Sequence, residues 1–479
     1  MRNKRAQVSL FDTYKEVTES YKNNKPKLFR QLDELIEWET FIPARFFGAF
    51  HQKMGRPRVY SLVSFLKMLV LQRIFGYTED SQLLLTLRHS SEMRDFCELK
   101  KVPDAAKITR FKQEFIVYIE EVFDTLVEQT EPICRQMDEE LADCLVFDTT
   151  GIESYVAENN PKFLNGKLSQ AKAFAKKNPG YDPYKGVYSL MPDTALANSN
   201  VKRQYINGHF CYAQKVGILT NGLGIVRHID LFDEDFKATH PEMPIDKRED
   251  DPSLVKEIGD SKALLPVLDD FRKAHPLLKF STFLGDGAFD SYDIYRALLG
   301  PYGFQRAVIP LNIRNSSKAP SADLNDVGIP LCPKDKTPMR LNGSCAGKNR
   351  SKRFKFVCPK SKVVQTEKGA TRKCFCDSPC TASSYGRCVY IYPDADLRLY
   401  PGLLRDSEEW NRLYAKRTAV ERSIASFKAV LGLDGRKTFN TATTKTDLFL
   451  AGITQLLGVL LAAELHDLSL ARRIRKLAA

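Results

Sequence analysis

The chain has 479 residues, 43% hydrophobic and 10% aromatic, which is enough for a sizeable core and more than one ordinary domain holds. Its 72 Lys and Arg exceed its 59 Asp and Glu by 13, and this balance points to a polyanionic partner rather than an acidic surface. Met1-Arg2-Asn3-Lys4-Arg5 leads into no apolar run, so a cytoplasmic protein without a signal peptide is expected, and the eleven cysteines then read as metal-binding or buried rather than disulfide-bonded.

Residues 1–135 read as all-helical. Ser61 is placed to cap a helix whose Leu62, Phe65, Leu66 and Leu69 form one stripe, and Pro103-Asp104 opens another carrying Ile108, Phe111 and Phe115. Before the first lies Gly55-Arg56-Pro57-Arg58, an extended basic tetrapeptide. Arg56 and Arg58 could enter a minor groove from it, or simply form a loop leading into the capped helix.

From Cys144 the pattern changes to short apolar runs. Cys144 to Phe147 reads as a buried strand ending at Asp148, and Tyr212–Leu219 and Leu223–Leu231 flank Thr220-Asn221-Gly222, a hairpin signal. Phe280–Leu284 forms a further strand ending at Gly285-Asp286-Gly287, and Ala307–Pro310 one more. A strand, a hairpin and further strands predict a mixed sheet of α/β type. Residues 311–394, rich in Lys, Ser, Pro and Cys, break the rhythm and read as an insertion. Leu404 to Val430 is read as strongly helical, and Leu448–Leu465 as a buried helix rather than a membrane span, being interrupted by Thr454, Gln455 and two glycines. The expected organisation is a helical region at 1–135, an α/β core at 136–310 and 395–465 split by the insertion at 311–394, and a basic tail at 466–479.

The charge is concentrated. Cys332 to Phe375 holds thirteen Lys and Arg against Asp335 and Glu367, and Lys162, Lys167, Lys172, Lys176, Lys177 and Lys185 form a second basic stretch. Both are candidate phosphate-contacting surfaces, the alternative being solvated loops.

Two acids stand out by context. Asp148 and Asp286 each end a buried-looking strand and precede a turn, the edge where α/β sheets place ligands, although turn formation alone would also account for either. Tyr414, Arg417, Glu421 and Lys428 fall at offsets 0, 3, 7 and 14, one face of an ideal helix. An Arg417–Glu421 ion pair on a solvated face is the alternative.

The spacing Tyr-x2-Arg-x3-Glu-x6-Lys resembles the signature around the catalytic Glu of one large group of bacterial insertion-sequence DDE transposases. Phe147-Asp148-Thr149-Thr150-Gly151 is similar to that family's first Asp motif, and Gly285-Asp286-Gly287-Ala288-Phe289-Asp290 to its second. Gly55 to Phe115 looks like the helical domain that precedes many such enzymes. The resemblance implies an RNase H-like core in which Asp148, Asp286 and Glu421 hold Mg²⁺ or Mn²⁺ for two-metal cleavage and joining of DNA. It also implies Tyr414, Arg417 and Lys428 as DNA contacts, terminal inverted repeats and target DNA as partners, a homodimer on DNA, nucleoid association and no membrane. A catalytically decayed DNA-binding regulator and a non-joining metal-dependent nuclease are the alternatives. Asp290, Asp143 and Glu153 are nearby carboxylates ranked below the chosen three.

Seven cysteines lie in the insertion: Cys332, Cys345, Cys358, Cys374, Cys376, Cys380 and Cys388. A structural Zn²⁺ held by Cys332, Cys358, Cys376 and Cys380 is the expectation, with another quartet or a metal-free basic loop as alternatives.

Overall fold

The computed structural model describes residues 26–51, 57–206, 209–243, 258–312, 323–347, 350–367 and 369–478, together with Phe11, Tyr14 and Lys15. The N-terminal third is helical, as its periodicity requires: α1 (Lys27–Glu34), α2 (Ala44–Phe50), α3 (Leu62–Ile74), α4 (Asp80–His89), α5 (Ser91–Phe96), α6 (Ala105–Glu114) and α7 (Ile116–Met137). The expected caps are in place. Ser61 Oγ accepts the Ser64 N–H at 2.9 Å, and Asp104 accepts that of Lys107 at 2.9 Å. Helix α3 is buried on all sides rather than along one stripe, and even Lys67, Gln72 and Arg73 are enclosed.

A short α8 (Glu139–Ala142) leads into β1 (Cys144–Glu153), the central strand. Next come α9 (Pro161–Lys177), α10 (Pro183–Gly186), β2 (Thr194–Ala195), β3 (Asn198–Ile206), β4 (His209–Asn221), β5 (Val226–Leu231), α11 (Glu234–Thr239), α12 (Asp260–Ala274), β6 (Thr282–Leu284), α13 (Tyr292–Leu299) and β7 (Arg306–Val308). β1 runs antiparallel to β4, with Leu145 opposite Asn221 and Glu153 opposite Ala213, and parallel to β6, which runs parallel to β7. The strand order β5-β4-β1-β6-β7, three antiparallel followed by two parallel, is that of an RNase H-like sheet. The sequence reading did not include β2 and β3. They extend the sheet beyond the first half of β4, where Tyr205 pairs with Phe210 and Lys202 with Ala213.

Alternation along β1 sorts its side chains to two cores. Val146 and Ile152 join the core shared with the N-terminal helices and α16 (Thr441–Glu464), while Leu145 and Phe147 join the one under α12 and α13. Helix α16, capped by Asn440 and starting seven residues before the expected apolar run, is long and apolar enough to cross a membrane but is buried along most of its length against α3, α6 and α7. Asp447 on α16 is fully buried and paired with Lys112 of α6 at 3.0 Å and Arg436 at 2.8 Å, with Arg73 of α3 at 4.0 Å. This ionic knot fastens the helical region to the core.

Two expectations are corrected. Leu404 to Val430 is not one helix: α14 (Glu408–Tyr414) and α15 (Thr418–Ala425) are separated by turn residues 415–417, and Ser426–Val430 winds as a π-helical turn. Helix α14 itself begins only at Glu408, where Ser407 caps it by accepting the Trp410 N–H at 3.1 Å. Nor does the first strand end at Asp148: β1 continues to Glu153, with Asp148 in its middle opposite Ile218 of β4. The insertion has sheet structure that the sequence reading did not assign. β8 (Arg340–Gly347), β9 (Arg350–Val357) and β12 (Cys388–Ile391) form a three-stranded sheet, and β10 (Ser361–Thr366) with β11 (Gly369–Cys374) forms a separate hairpin. Its small core, Met339, Phe354 and Phe356, lies against Tyr400 and Leu404. The chain is completed by α17 (Ile474–Ala478).

Candidate active site

The first carboxylate is positioned by β1. Asp148 lies two residues beyond Val146 and so shares the face that carries Val146 and Ile152. In the parallel pair of β1 and β6 the last matched residues are Val146 and Leu284. Asp286 lies two residues beyond Leu284, so the two aspartates leave neighbouring strands at the same level. Each accepts a local backbone hydrogen bond: within β1 the Thr149 N–H donates to Asp148 Oδ1 at 2.8 Å, and in the turn after β6 the Ala288 N–H donates to Asp286 Oδ1 at 2.7 Å.

The third comes from α15, which crosses β1 and β4 on that same face and buries Ala419, Val420, Ser423 and Ile424. The crossing is close because Gly224, in the β4–β5 turn at φ +79°, lies under it. A Cβ at Gly224 would stand 2.9 Å from the Ala419 carbonyl oxygen. Glu421 is left exposed on the outer side of α15 and pairs with Arg417 at 2.7 Å. The Arg417 guanidinium also lies 5.9 Å from the Tyr414 ring and within the field of Asp286.

Electrostatics tie the three together. Burial lifts the Asp148 carboxyl to about 6 from an ordinary 3.8, and the charges of Asp286, Asp260 and Glu421 add to the rise, against the Thr149 N–H that lowers it. Carboxylates that act on one another beside the middle of β1 and the end of β6, one of them largely buried, form a site that a divalent cation would neutralise. The donor set of oxygens alone suits Mg²⁺ or Mn²⁺.

The fourth carboxylate was not singled out in the sequence. Asp260 opens α12 and accepts the Thr149 Oγ1–H at 2.5 Å, and it pairs with Lys215 of β4 at 2.8 Å. Thr149 points to the opposite face from Asp148, so Asp260 braces the strand from behind. Its only sequence signal is an acid in the first turn of a helix, which capping explains as well.

The remaining sequence candidates fall elsewhere. Lys428 sits in the π-helical turn with its ammonium half-buried. Burial lowers its pKa, and its titratable neighbours are Asp434, Cys211 and Glu153, not the three carboxylates. The predicted face of Tyr414, Arg417, Glu421 and Lys428 therefore does not extend to Lys428, because the π turn at Ser426–Val430 changes the phase after Glu421. Arg58 is held over the Phe50 ring at 4.5 Å, donates to the Phe50 carbonyl at 2.7 Å and pairs with Glu114 at 3.2 Å; Arg56 lies outside the described residues. Asp290 is buried and satisfied by Arg398 at 2.6 Å and by the Asn312 N–H at 2.6 Å, and Asp143 accepts the Ser281 N–H at 3.2 Å. Glu153 lies at the far end of β1, where its carboxylate, His209 and Cys211 have ligand atoms within 4.8 Å of one another. In the insertion, Cys332, Cys358, Cys374, Cys376 and Cys380 surround one small cavity. Cys345 and Cys388 are exposed away from it.

Two family models match the chain: a transposase domain (DUF772) over residues 16–114 and a transposase DDE domain over residues 255–457. Asp286 and Glu421 fall within the second match, and Asp148 lies between the two. Among solved structures the chain is similar to a piggyBac transposase in a synaptic complex with hairpin DNA, at 10% identity and a TM-score of 0.37, with 94% of this chain and 77% of that one covered. No curated protein matches the chain.

Proposed function

The chain belongs to the insertion-sequence DDE transposases, and from that membership we propose that it binds the terminal inverted repeats of its own element, cuts there and joins the 3′ ends to target DNA, with Asp148, Asp286 and Glu421 as the metal ligands. The observation that supports this reading is that Asp148 and Asp286 lie at the same level of neighbouring parallel strands, with Glu421 on the helix laid across β1 and near enough for its charge to act on Asp148.

Enzymes of this family generally use a divalent metal. Bound here, it would act as a Lewis acid toward phosphate and raise the nucleophilicity of an attacking oxygen, water for cutting and a DNA 3′-hydroxyl for joining. Asp148, flanked by the other two, is suited to the central ligand position, with Asp286 and Glu421 to either side. Arg417 is already beside Glu421, and its planar fork would turn to a phosphate near the scissile bond. Tyr414, next to it, offers a ring for a base or sugar. Lys428, Arg56 and Arg58 belong to a wider DNA footprint, as do the exposed lysines of α9. Two element ends must be held together for joining, so a homodimer on DNA is the expected assembly.

Purified protein incubated with Mg²⁺ and a plasmid carrying the DNA that flanks its gene tests the reading. Nicks mapped to the element ends, followed by joined products and absent with Asp148→Ala, are expected. Cuts scattered over the plasmid would leave a plain nuclease. Specific binding to the ends without cleavage would leave a DNA-binding regulator.

A further inference from the structure

The basic insertion contains a group of thiols that strand cleavage does not use. Its β10–β11 hairpin extends from the small sheet with almost no core of its own. Of β10 only Ser361 is buried, Val363 is 58% exposed, and β11 has no buried residue. A lone two-stranded hairpin is marginal in water, so something at its root must hold it.

That root is where the cysteines gather. Cys358 precedes β10, Cys374 ends β11, Cys376 and Cys380 follow, and Cys332 approaches from a separate tight turn in which the Lys336 N–H donates to the Cys332 carbonyl at 2.9 Å, with Lys336 at φ +55°. Cys332, Cys358, Cys374, Cys376 and Cys380 line one small cavity, with Cys332 and Cys380 neighbours of each other and of Cys358. The Lys360 N–H lies near the Cys358 sulfur, and its ammonium near Cys332 and Cys376. Arg387 lines the same cavity. An N–H donor and two cations around clustered sulfurs are what a thiolate site with net negative charge requires.

We propose that Cys332, Cys358, Cys376 and Cys380 bind one structural Zn²⁺ that clamps the hairpin root to the rest of the insertion. Cys376 takes the fourth place rather than Cys374 because it shares Lys360 with Cys332 and stands in a C-x3-C pair with Cys380. No protein oxygen is needed, and four thiols give up their protons as the metal binds. Among the described residues no three of these sulfurs lie within 4.8 Å of one another, so binding draws the two turns together. The clamp holds in place a segment with thirteen Lys and Arg between Cys332 and Phe375, which suits it to lie along a phosphate backbone.

The test uses the full chain, purified under reducing conditions and assayed for metal. About one zinc per chain is expected, and cobalt exchanged for it should give the absorption of a tetrahedral tetrathiolate site. Cys→Ser at 332, 358, 376 or 380 should abolish that absorption and expose the hairpin to protease. Cys374→Ser and Cys345→Ser should not, and Asp148→Ala should retain the metal, which separates this site from the carboxylates. If a single substitution prevents folding, protection of the wild-type thiols from alkylation by zinc gives the same reading. Zinc far below one per chain without cobalt–thiolate absorption would overturn the proposal. So would zinc retained after all four substitutions, or disulfides among these cysteines in protein alkylated directly in the cell.

Discussion

Asp148 and Asp286 stand side by side because each follows by two residues a partner in the parallel register, Val146 in β1 and Leu284 in β6. Two strands that must pair to bury Phe283, Leu284 and Val146 thus bring two like charges together. The sheet's hydrophobic pairing holds the acids in a juxtaposition they would not choose.

Neutralising one of them should separate stability from activity. Asp148→Asn removes a carboxylate that its buried position and the neighbouring acids disfavour, so in EDTA the variant should melt at or above the wild-type temperature. Mg²⁺ or Mn²⁺ should raise the melting temperature of the wild type and leave Asp148→Asn unmoved, since only a folded-state site gains from ligand. Cleavage should fall by on the order of 10³-fold or more. Equal stabilisation of both proteins by metal would place the cation elsewhere.

Arg417 and Glu421 form an ion pair that is poised to be exchanged for DNA. Arg417→Ala should reduce cleavage at element ends by about 10²-fold with little change in melting temperature, because the pair is exposed on the glutamate side. Arg417→Lys should recover part of the loss but not all, as a point charge replaces a planar fork. Activity unchanged in both would remove Arg417 from the site.

The knot at Asp447 is a stability matter. Burial alone would raise its carboxyl, but Lys112, Arg73 and Arg436 outweigh that and hold it below the usual range. Its contribution is therefore complete above the ordinary aspartate value of about 4 and lost only as strong acid protonates it. Asp447→Ala leaves Arg73 and Arg436 with no carboxylate in contact among the described residues and Lys112 with Asp80 alone, and should cost about 3–5 kcal/mol by denaturant unfolding. A cost under about 1 kcal/mol would mean that water, not Asp447, satisfies them.

His228 on β5 should impose the opposite pH trend. Burial lowers its pKa, but Asp230 at 2.9 Å, with Asp124 and Glu120 of α7 beyond it, outweighs burial and raises it. Lys445 of α16 is paired with Glu120 at 3.5 Å, and His275 of α12 lies 3.3 Å from Asp124. The stabilisation is present below about pH 6.5 and is lost as pH rises through the folded-state value. The difference in melting temperature between wild type and His228→Gln should therefore be larger at pH 6 than at pH 9, and an invariant difference would show that the imidazole is neutral throughout.

Much of the site was legible because its signals are local. The strand Cys144–Phe147 and the acid after it are visible in a few residues, as is the hairpin at Asn221-Gly222, and both caps at Ser61 and Asp104 act within three residues, but the continuation of β1 past Asp148 to Glu153 was not read. What could not be read depends on distant partners. Asp260 reaches Thr149 across 111 positions, and Arg398 neutralises Asp290 across 108; no periodicity encodes either. The Lys428 placement failed for a different reason: the stripe argument assumes an unbroken 3.6-residue helix, and neither the turn at 415–417 nor the π turn at Ser426–Val430 changes the hydrophobic pattern enough to announce itself.

The central claim is that Asp148, Asp286 and Glu421 share one cation site. Fe²⁺ substituted for Mg²⁺, with ascorbate and peroxide, generates radicals that cut the backbone beside the bound ion, and the cuts can be mapped by mass spectrometry. Cuts clustered near residues 148, 286 and 421, suppressed by excess Mg²⁺ and absent in Asp148→Ala, are the predicted result. Cuts near Glu153, His209 and Cys211 instead, or a pattern unchanged by Asp148→Ala, would contradict it.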